Sequence, residues 1–409
     1  MLTRFMPPRH RRRALVSAVG VALAASGCSS DRGPTSPGGT GRGSLVEAAL
    51  AQSLPRTVIE QFLLQQGLSG AFAARYGVQM YAIRYRTVDV SGAPTIATGA
   101  VFLPTEASGA VPLMSYSHGT ATLKSDVPSN PQSGEGLTVG ALFATTGAVV
   151  AMADYLGMGG NPGVHPYVHA ASEASAGIDA LRAARTLVAQ KHVGLSSKLF
   201  VFGYSQGGQA AMALVKEIEE HAASEFAITA AAPMSGPYDM YGTAKTFLAS
   251  SSPNVSASIY TVYAMGAYNA VYHFADGLDQ LLKPPYDQLA GTLASSGMAF
   301  DQVAAAVAAV PRDMVQPAVL DAVLNHPESA ISTALRDNDL YDWRPATPMR
   351  LYYGSADTEV PPQNALTAAA HMQALGATNV QAVDLGPYTH TGAIVPAFVA
   401  AVTWFESLR

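Results

Sequence analysis

The hexapeptide Gly203-Tyr204-Ser205-Gln206-Gly207-Gly208 follows the apolar run Leu199-Phe200-Val201-Phe202 and precedes Gln209-Ala210-Ala211-Met212-Ala213-Leu214. The order is buried strand, sharp turn, helix. Gly203 permits close approach of strand and helix, and Gly207 and Gly208 keep side chains out of the turn. Such a turn holds its serine in strained backbone angles, with the hydroxyl raised above a sheet: a nucleophile elbow. The letters alone are common in a chain with 37 glycines. The flanking strand and helix separate this reading from a glycine-rich turn with an incidental serine.

The surrounding pattern supplies the rest of a sheet. Short apolar runs at residues 111–117, 148–153, 199–202 and 228–233 alternate with helical stretches, notably 172–190 and 207–221. Buried strands alternating with helices predict a parallel α/β sheet. Before them, 45–76 reads as helical, with apolar positions at Val58, Phe62, Leu63 and Phe72. Two alternating runs, 78–90 and 95–103, joined by Ser91-Gly92-Ala93-Pro94, predict an antiparallel hairpin. From about 236 to 343 the alternation stops. Alanine-rich helical pieces broken by Pro284-Pro285, Pro311, Pro317 and Pro327 carry many of the aromatic residues. The sheet pattern returns at 349–353 and 380–384. The expected organisation is therefore a core at 45–235 and 344–409, with a helical cap or lid at 236–343. A second domain with its own function is the alternative. No internal repeat is visible.

The N-terminus reads as a targeting signal. A basic first segment ends at Arg13, an apolar stretch runs from Ala14 to Ala25, and Ala25-Ser26-Gly27 precede Cys28, the single cysteine. Residues 1–27 are expected to be a bacterial lipoprotein signal, with cleavage before Cys28 and lipid attachment to its sulfur. An ordinary secretory signal is the alternative. Residues 28–44, rich in Gly, Pro, Ser and Thr, read as a flexible tether. The protein is then exported to the cell envelope, lipid-anchored and sorted by Ser29 to an outer membrane, or secreted. Removing the five signal arginines from 24 basic residues leaves 19 against 29 acids, a net charge of −10. That charge argues against nucleic-acid partners.

A serine hydroxyl needs a general base in reach and a third group to orient that base. An α/β-hydrolase supplies them in the order Ser, Asp or Glu, His, from loops after successive strands. Asp357 lies in Gly354-Ser355-Ala356-Asp357-Thr358-Glu359-Val360-Pro361, just after the 349–353 run. His390 lies in Tyr388-Thr389-His390-Thr391-Gly392, after the 380–384 run. Ser205, His390 and Asp357 are thus the candidate nucleophile, base and orienting acid, with Glu359 and Asp384 as competing acids. Backbone donors for an oxyanion are expected from Gln206, the residue after the nucleophile, and from the loop Ser117-His118-Gly119-Thr120. Within that loop Thr120 is preferred and His118 is the second choice. His165, His169 and Glu173 are spaced by four, as metal ligands can be. Pro166 and the lack of cysteine argue instead for loop packing and helix entry. No phosphate-binding glycine loop followed by lysine is present, and no cofactor or metal is expected.

Taken together, Ser-His-Gly-Thr at 117–120, Ala153-Asp154-Tyr155-Leu156-Gly157-Met158-Gly159, His165-Pro166-Tyr167, Ala180-Leu181-Arg182-Ala183-Ala184-Arg185 and the elbow resemble the secretory lipase family. This is the fungal lipase A type of α/β-hydrolase, with bacterial lipoprotein relatives. The resemblance covers most of 45–409. It implies the α/β-hydrolase fold, a mostly parallel sheet flanked by helices with a helical cap. It also implies Ser205, Asp357 and His390 as triad, and cofactor-free hydrolysis of carboxylic esters, often acylglycerols or other lipophilic esters. The chain departs from the fungal members in lacking their disulfide cysteines. A peptidase or amidase on the same fold, and a non-catalytic envelope-tethered binding protein, are the competing expectations. Activity on peptide anilides but not esters would select the first. Failure of Ser205 to react with a fluorophosphonate would select the second.

Overall fold

The computed structural model describes residues 41–409. The signal segment 1–27, Cys28 and the tether up to residue 40 lie outside the described residues. Among the described residues, nine strands form one sheet: β1 (Leu45–Leu54), β2 (Val78–Val88), β3 (Pro94–Pro104), β4 (Ala110–Ser117), β5 (Val149–Ala153), β6 (Gly194–Tyr204), β7 (Ala230–Met234), β8 (Met349–Tyr353) and β9 (Val380–Asp384). Their spatial order is β1-β2-β3-β5-β4-β6-β7-β8-β9. The pairs from β5 through β9 are all parallel, while β1, β2 and β3 join antiparallel. The protein has the α/β-hydrolase fold.

The helices are α1 (Arg56–Gln65), α2 (Gly134–Ala144), α3 (Ala170–Gln190), α4 (Gln206–His221), α5 (Met240–Ala249), α6 (Val255–Tyr272), α7 (Tyr286–Ala294), α8 (Phe300–Ala306), α9 (Pro317–Asn325), α10 (Ala330–Arg336), α11 (Gln363–Ala374) and α12 (Ile394–Glu406). Side chains of a strand alternate faces, and here both faces are covered. On β6, Leu199 and Val201 pack toward α3, α4 and α11, whereas Phe200, Phe202 and Tyr204 pack toward α1, α2 and α12. That explains why the central strands read as unbroken apolar runs. On the second face Phe143 lies 4.3 Å from Phe202 and Phe405 lies 4.6 Å from Phe200, ring centre to ring centre. Each fully buried ring contributes about 1.5–3 kcal/mol.

The chain leaves β4 through α2 to β5 on one side, then crosses through α3 to β6 on the other. The strand order reverses at β4, and a crevice opens beyond the carboxyl ends of β4 and β6. Six helices, α5 to α10, intervene between β7 and β8 and pack around their own apolar cluster, which includes Ile259, Tyr263, Leu293 and Val323. Their ties to the core include the loops after β8 and β4. Asn254 Nδ2 donates to the Thr358 carbonyl at 2.9 Å. Lys124 N–H donates to the Ser296 carbonyl at 2.8 Å, and Met298 N–H to the Thr122 carbonyl at 3.3 Å.

The N-terminal segment differs from its reading as a helix over 45–76. Leu45–Leu54 is an edge strand, and α1 begins only after Pro55. Its alanine-rich sequence favours a helix locally. The antiparallel ladder offered by β2 supplies hydrogen bonds along the strand and overrides that preference. Residues 41–44 are seated on the body. Arg42 pairs with the fully buried Asp179 carboxylate at 3.0 Å, and Gly43 N–H donates to the Arg86 carbonyl at 2.7 Å.

Candidate active site

Ser205 stands between β6 and α4 with φ 60° and ψ −124°. A non-glycine residue at such angles costs on the order of 1–3 kcal/mol, which the surroundings must hold in place. Ser205 N–H donates to the Met234 carbonyl at 3.0 Å, pinning the turn to the end of β7. A Cβ at Gly203 would collide with the Gly207 carbonyl, and one at Gly207 with the Ser117 carbonyl. Glycine at both positions lets β6, α4 and the end of β4 meet at one point.

His390 and Asp357 come together from the loops after β9 and β8. His390 Nδ1 is 2.6 Å from Asp357 Oδ2, and both side chains are buried. Asp357 Oδ1 accepts the backbone N–H groups of Glu359 and Val360, each at 2.9 Å. The carboxylate is thereby fixed from both ends. Burial alone would lower the imidazole pKa. The bond to Asp357 and the charges of Asp357 and Glu359 outweigh it and raise the pKa above the ordinary value. Tyr204 Oη donates to the His390 carbonyl and anchors its loop. Of the competing acids, Asp384 is exposed and accepts only the Gly386 N–H, while Glu359 accepts the Tyr260 hydroxyl at 2.8 Å.

The loop after β4 lies beside the elbow. The His118 ring is buried, stacked on Tyr155 at 4.2 Å, with Nδ1 2.8 Å from the Gly119 carbonyl. Thr120 Oγ1 lies 2.9 Å from Tyr167 Oη. Glu135, which the sequence reading did not single out, orders this loop: its Oε1 accepts Tyr116 Oη at 2.6 Å and Gly119 N–H at 2.8 Å. Among the described residues, the backbone N–H groups of Thr120 and Gln206 make no internal hydrogen bond. Gln206 is the first residue of α4, so its N–H also carries the partial positive charge of a helix N-terminus.

The spaced trio does not converge as a trio. His165 and Glu173 both meet the Gln206 side chain, whereas His169 sits edge-on to Tyr272. Among the described residues, no group of three His, Cys, Asp or Glu side chains is placed to hold a metal ion.

Two cavities meet at Ser205. One of about 340 Å³ is lined by His390, Thr120, Glu135, Phe62, Phe72 and Phe398 among others. The other, about 80 Å³, lies against the helical insertion and is lined by Gln206, Tyr167, Met240, Phe247, Met265 and Leu335 among others. Ser205, Tyr260 and Glu359 border both, so the hydrogen-bonded pair Tyr260–Glu359 lies where the two adjoin.

Fold and comparisons together define a carboxylic ester hydrolase of the α/β-hydrolase class. A family model for secretory lipases matches residues 132–408. The chain belongs to the secretory lipase family. Among solved structures it is similar to the rice cell wall degrading esterase LipA from Xanthomonas oryzae, in a ligand-bound form. The two share 30% identity and a TM-score of 0.82, over 90% of this chain and 100% of that one. Candida antarctica lipase A in its closed state shares the fold, with 17% identity and a TM-score of 0.66 over 90% of this chain and 83% of that one. No curated protein matches the sequence.

Proposed function

We propose that Ser205, His390 and Asp357 hydrolyse carboxylic esters through an acyl-enzyme. The observation that carries the reading is the buried 2.6 Å contact of His390 with Asp357, on a ring that lines the same cavity as the strained Ser205. With Nδ1–H donated to Asp357, the imidazole is left with a basic Nε2. His390 takes the Ser205 proton as Oγ attacks the ester carbonyl. The N–H groups of Gln206 and Thr120 receive the negative charge that forms on the carbonyl oxygen. His390 then protonates the departing alcohol, and water activated by the same nitrogen releases the acid. The helical insertion acts as a cap that keeps bulk water from these steps. Labelling of Ser205 by a fluorophosphonate, lost in His390→Ala, tests the assignment; equal labelling of both proteins rejects it.

The cavities support a substrate class. The leaving oxygen must lie beside His390, so the alcohol portion belongs in the 340 Å³ cavity. The acyl portion then points into the 80 Å³ cavity, which adjoins Ser205 and Gln206 but not His390. The fit is an ester of a bulky apolar alcohol with an acyl chain of few carbons. The expected kcat/KM for p-nitrophenyl butyrate exceeds that for the palmitate by on the order of 10²-fold. Tyr260→Ala, which removes the aromatic side chain beside Glu359, narrows the gap. A flat or inverted chain-length profile in the unaltered enzyme rejects the size assignment.

Export and an anchor at Cys28 belong to the same reading. They are supported by the order of basic, apolar and small residues before Cys28 and by kinship with a secretory family. Cys28→Ser, expressed at full length in a bacterial host, moves the protein from the membrane pellet to the soluble fraction. An unchanged distribution excludes the anchor.

A further inference from the structure

Beneath the elbow lies a buried polar cluster that the triad does not use. Gln206 Nε2 donates one proton to Glu173 Oε1 at 2.7 Å and lies 3.0 Å from His165 Nε2. His165 Nδ1 is 2.8 Å from the Leu156 carbonyl, an acceptor only, so Nδ1 carries the ring proton and Nε2 accepts. Both protons of the Gln206 amide are therefore satisfied, by one acceptor from α3 and one from the loop before it. All three side chains are within 2% of full burial. A buried carboxyl is costly, and a core that needed only packing would place an apolar side chain there. The Glu173 side chain points at Gln206, one of the two residues assigned above as backbone donors to the oxyanion.

We propose that Glu173 is a positioning residue of the hydrolase site, holding the oxyanion donor Gln206 in place through its side-chain amide together with His165. The inference rests on the Ser205 reading above. Backbone and side chain of Gln206 share one Cα, so fixing the amide fixes the orientation of the first peptide of α4. An oxyanion donor acts by being in place before charge develops, and loss of one such donor costs about 10²–10³ in kcat.

The cluster also gives the site a pH limit. Burial pushes the Glu173 carboxyl up to about 8 and the His165 imidazole down to about 3. The other titratable groups facing Glu173 are Tyr155, Tyr167 and Tyr268, whose hydroxyls burial holds well above their ordinary range. All of these groups are neutral at pH 8, so no cation among them offsets an ionised Glu173. Below that pH the neutral acid accepts from Gln206 without adding charge. Above it, a carboxylate stands on the same residue that must stabilise the oxyanion, and turnover falls. The folded protein also binds a proton that the unfolded chain releases near pH 4.5. The stability this proton contributes is therefore full below pH 4.5, falls as pH rises above that and is lost once pH has risen through about 8.

The test is kcat and KM for p-nitrophenyl butyrate from pH 5.5 to 9.5 in the wild type, Glu173→Ala and Glu173→Gln, with Ser205→Ala as control. Glu173→Ala is expected to lose about 100-fold in kcat with KM nearly unchanged. Glu173→Gln, which keeps the acceptor and cannot ionise, recovers most of that loss and lacks the alkaline fall, while the acid limb set by His390 stays. Should Glu173→Ala fail to fold, the Glu173→Gln profile decides alone. A Glu173→Ala kcat within twofold of wild type, or an alkaline limb retained in Glu173→Gln, overturns the proposal. If that happens while Ser205→Ala is silent, only this inference falls. An active Ser205→Ala removes the reading beneath it.

Discussion

Ser205→Ala lowers kcat for p-nitrophenyl butyrate by about 10⁶-fold, the scale expected when a nucleophile that works as a unit with its base is removed. The size of the effect follows from the arrangement around it. In the proposed mechanism His390, held by Asp357, activates the Ser205 hydroxyl, and without that hydroxyl there is no attached nucleophile to activate. A residual rate above that in water should survive, because the backbone N–H groups of Gln206 and Thr120 are untouched. Alanine at this position has the same backbone strain as serine, so the melting temperature should be nearly unchanged. Steady-state kinetics with thermal unfolding checks both halves. Wild-type turnover in a folded Ser205→Ala protein would end the nucleophile assignment.

Asp357→Asn is expected to cost about 10⁴-fold in kcat at neutral pH. The reason lies in the way both carboxylate oxygens are engaged. Oδ1 accepts two backbone N–H groups, so an asparagine will keep its carbonyl oxygen there and turn its amide nitrogen toward His390. An amide N–H facing Nδ1 forces the ring proton onto Nε2, and the base is lost. The same substitution should leave ester binding, read as KM, little altered. A kcat within tenfold of wild type at pH 7 would move the role of orienting acid to another residue, with Glu359 the neighbour to examine.

The elbow was legible because everything it needs is local. Apolar strand, glycine, serine, two glycines and helix are contiguous from Leu199 to Leu214, and each choice has its own steric reason. Asp357 and His390 were legible one step further away, as loop residues after short apolar runs. What could not be read locally was decided by partners distant in the chain. Leu45–Leu54 is a strand because β2 lies beside it, against its alanine-rich preference. His165 and Glu173 attracted notice through spacing, which hinted at a shared ligand. Their shared partner is an amide that follows them by 41 and 33 residues, and spacing carries no sign of it. Glu135 gave no signal at all, because its work is to accept a tyrosine hydroxyl from β4 and a glycine N–H from the loop after it. The two cavities are likewise made by residues scattered from Phe62 to Phe398.

Three successive residues after β8 bear on more than the proposed triad. Asp357 holds the imidazole, the Thr358 carbonyl receives Asn254 from the helical insertion, and Glu359 receives Tyr260. Recombination between relatives would feel this coupling. A chimera that exchanges only the helices between β7 and β8 inherits a foreign partner for Glu359, at the border of both cavities. The smallest exchangeable unit for substrate preference is therefore discontinuous: the helical insertion together with the short loop after β8 that it grips.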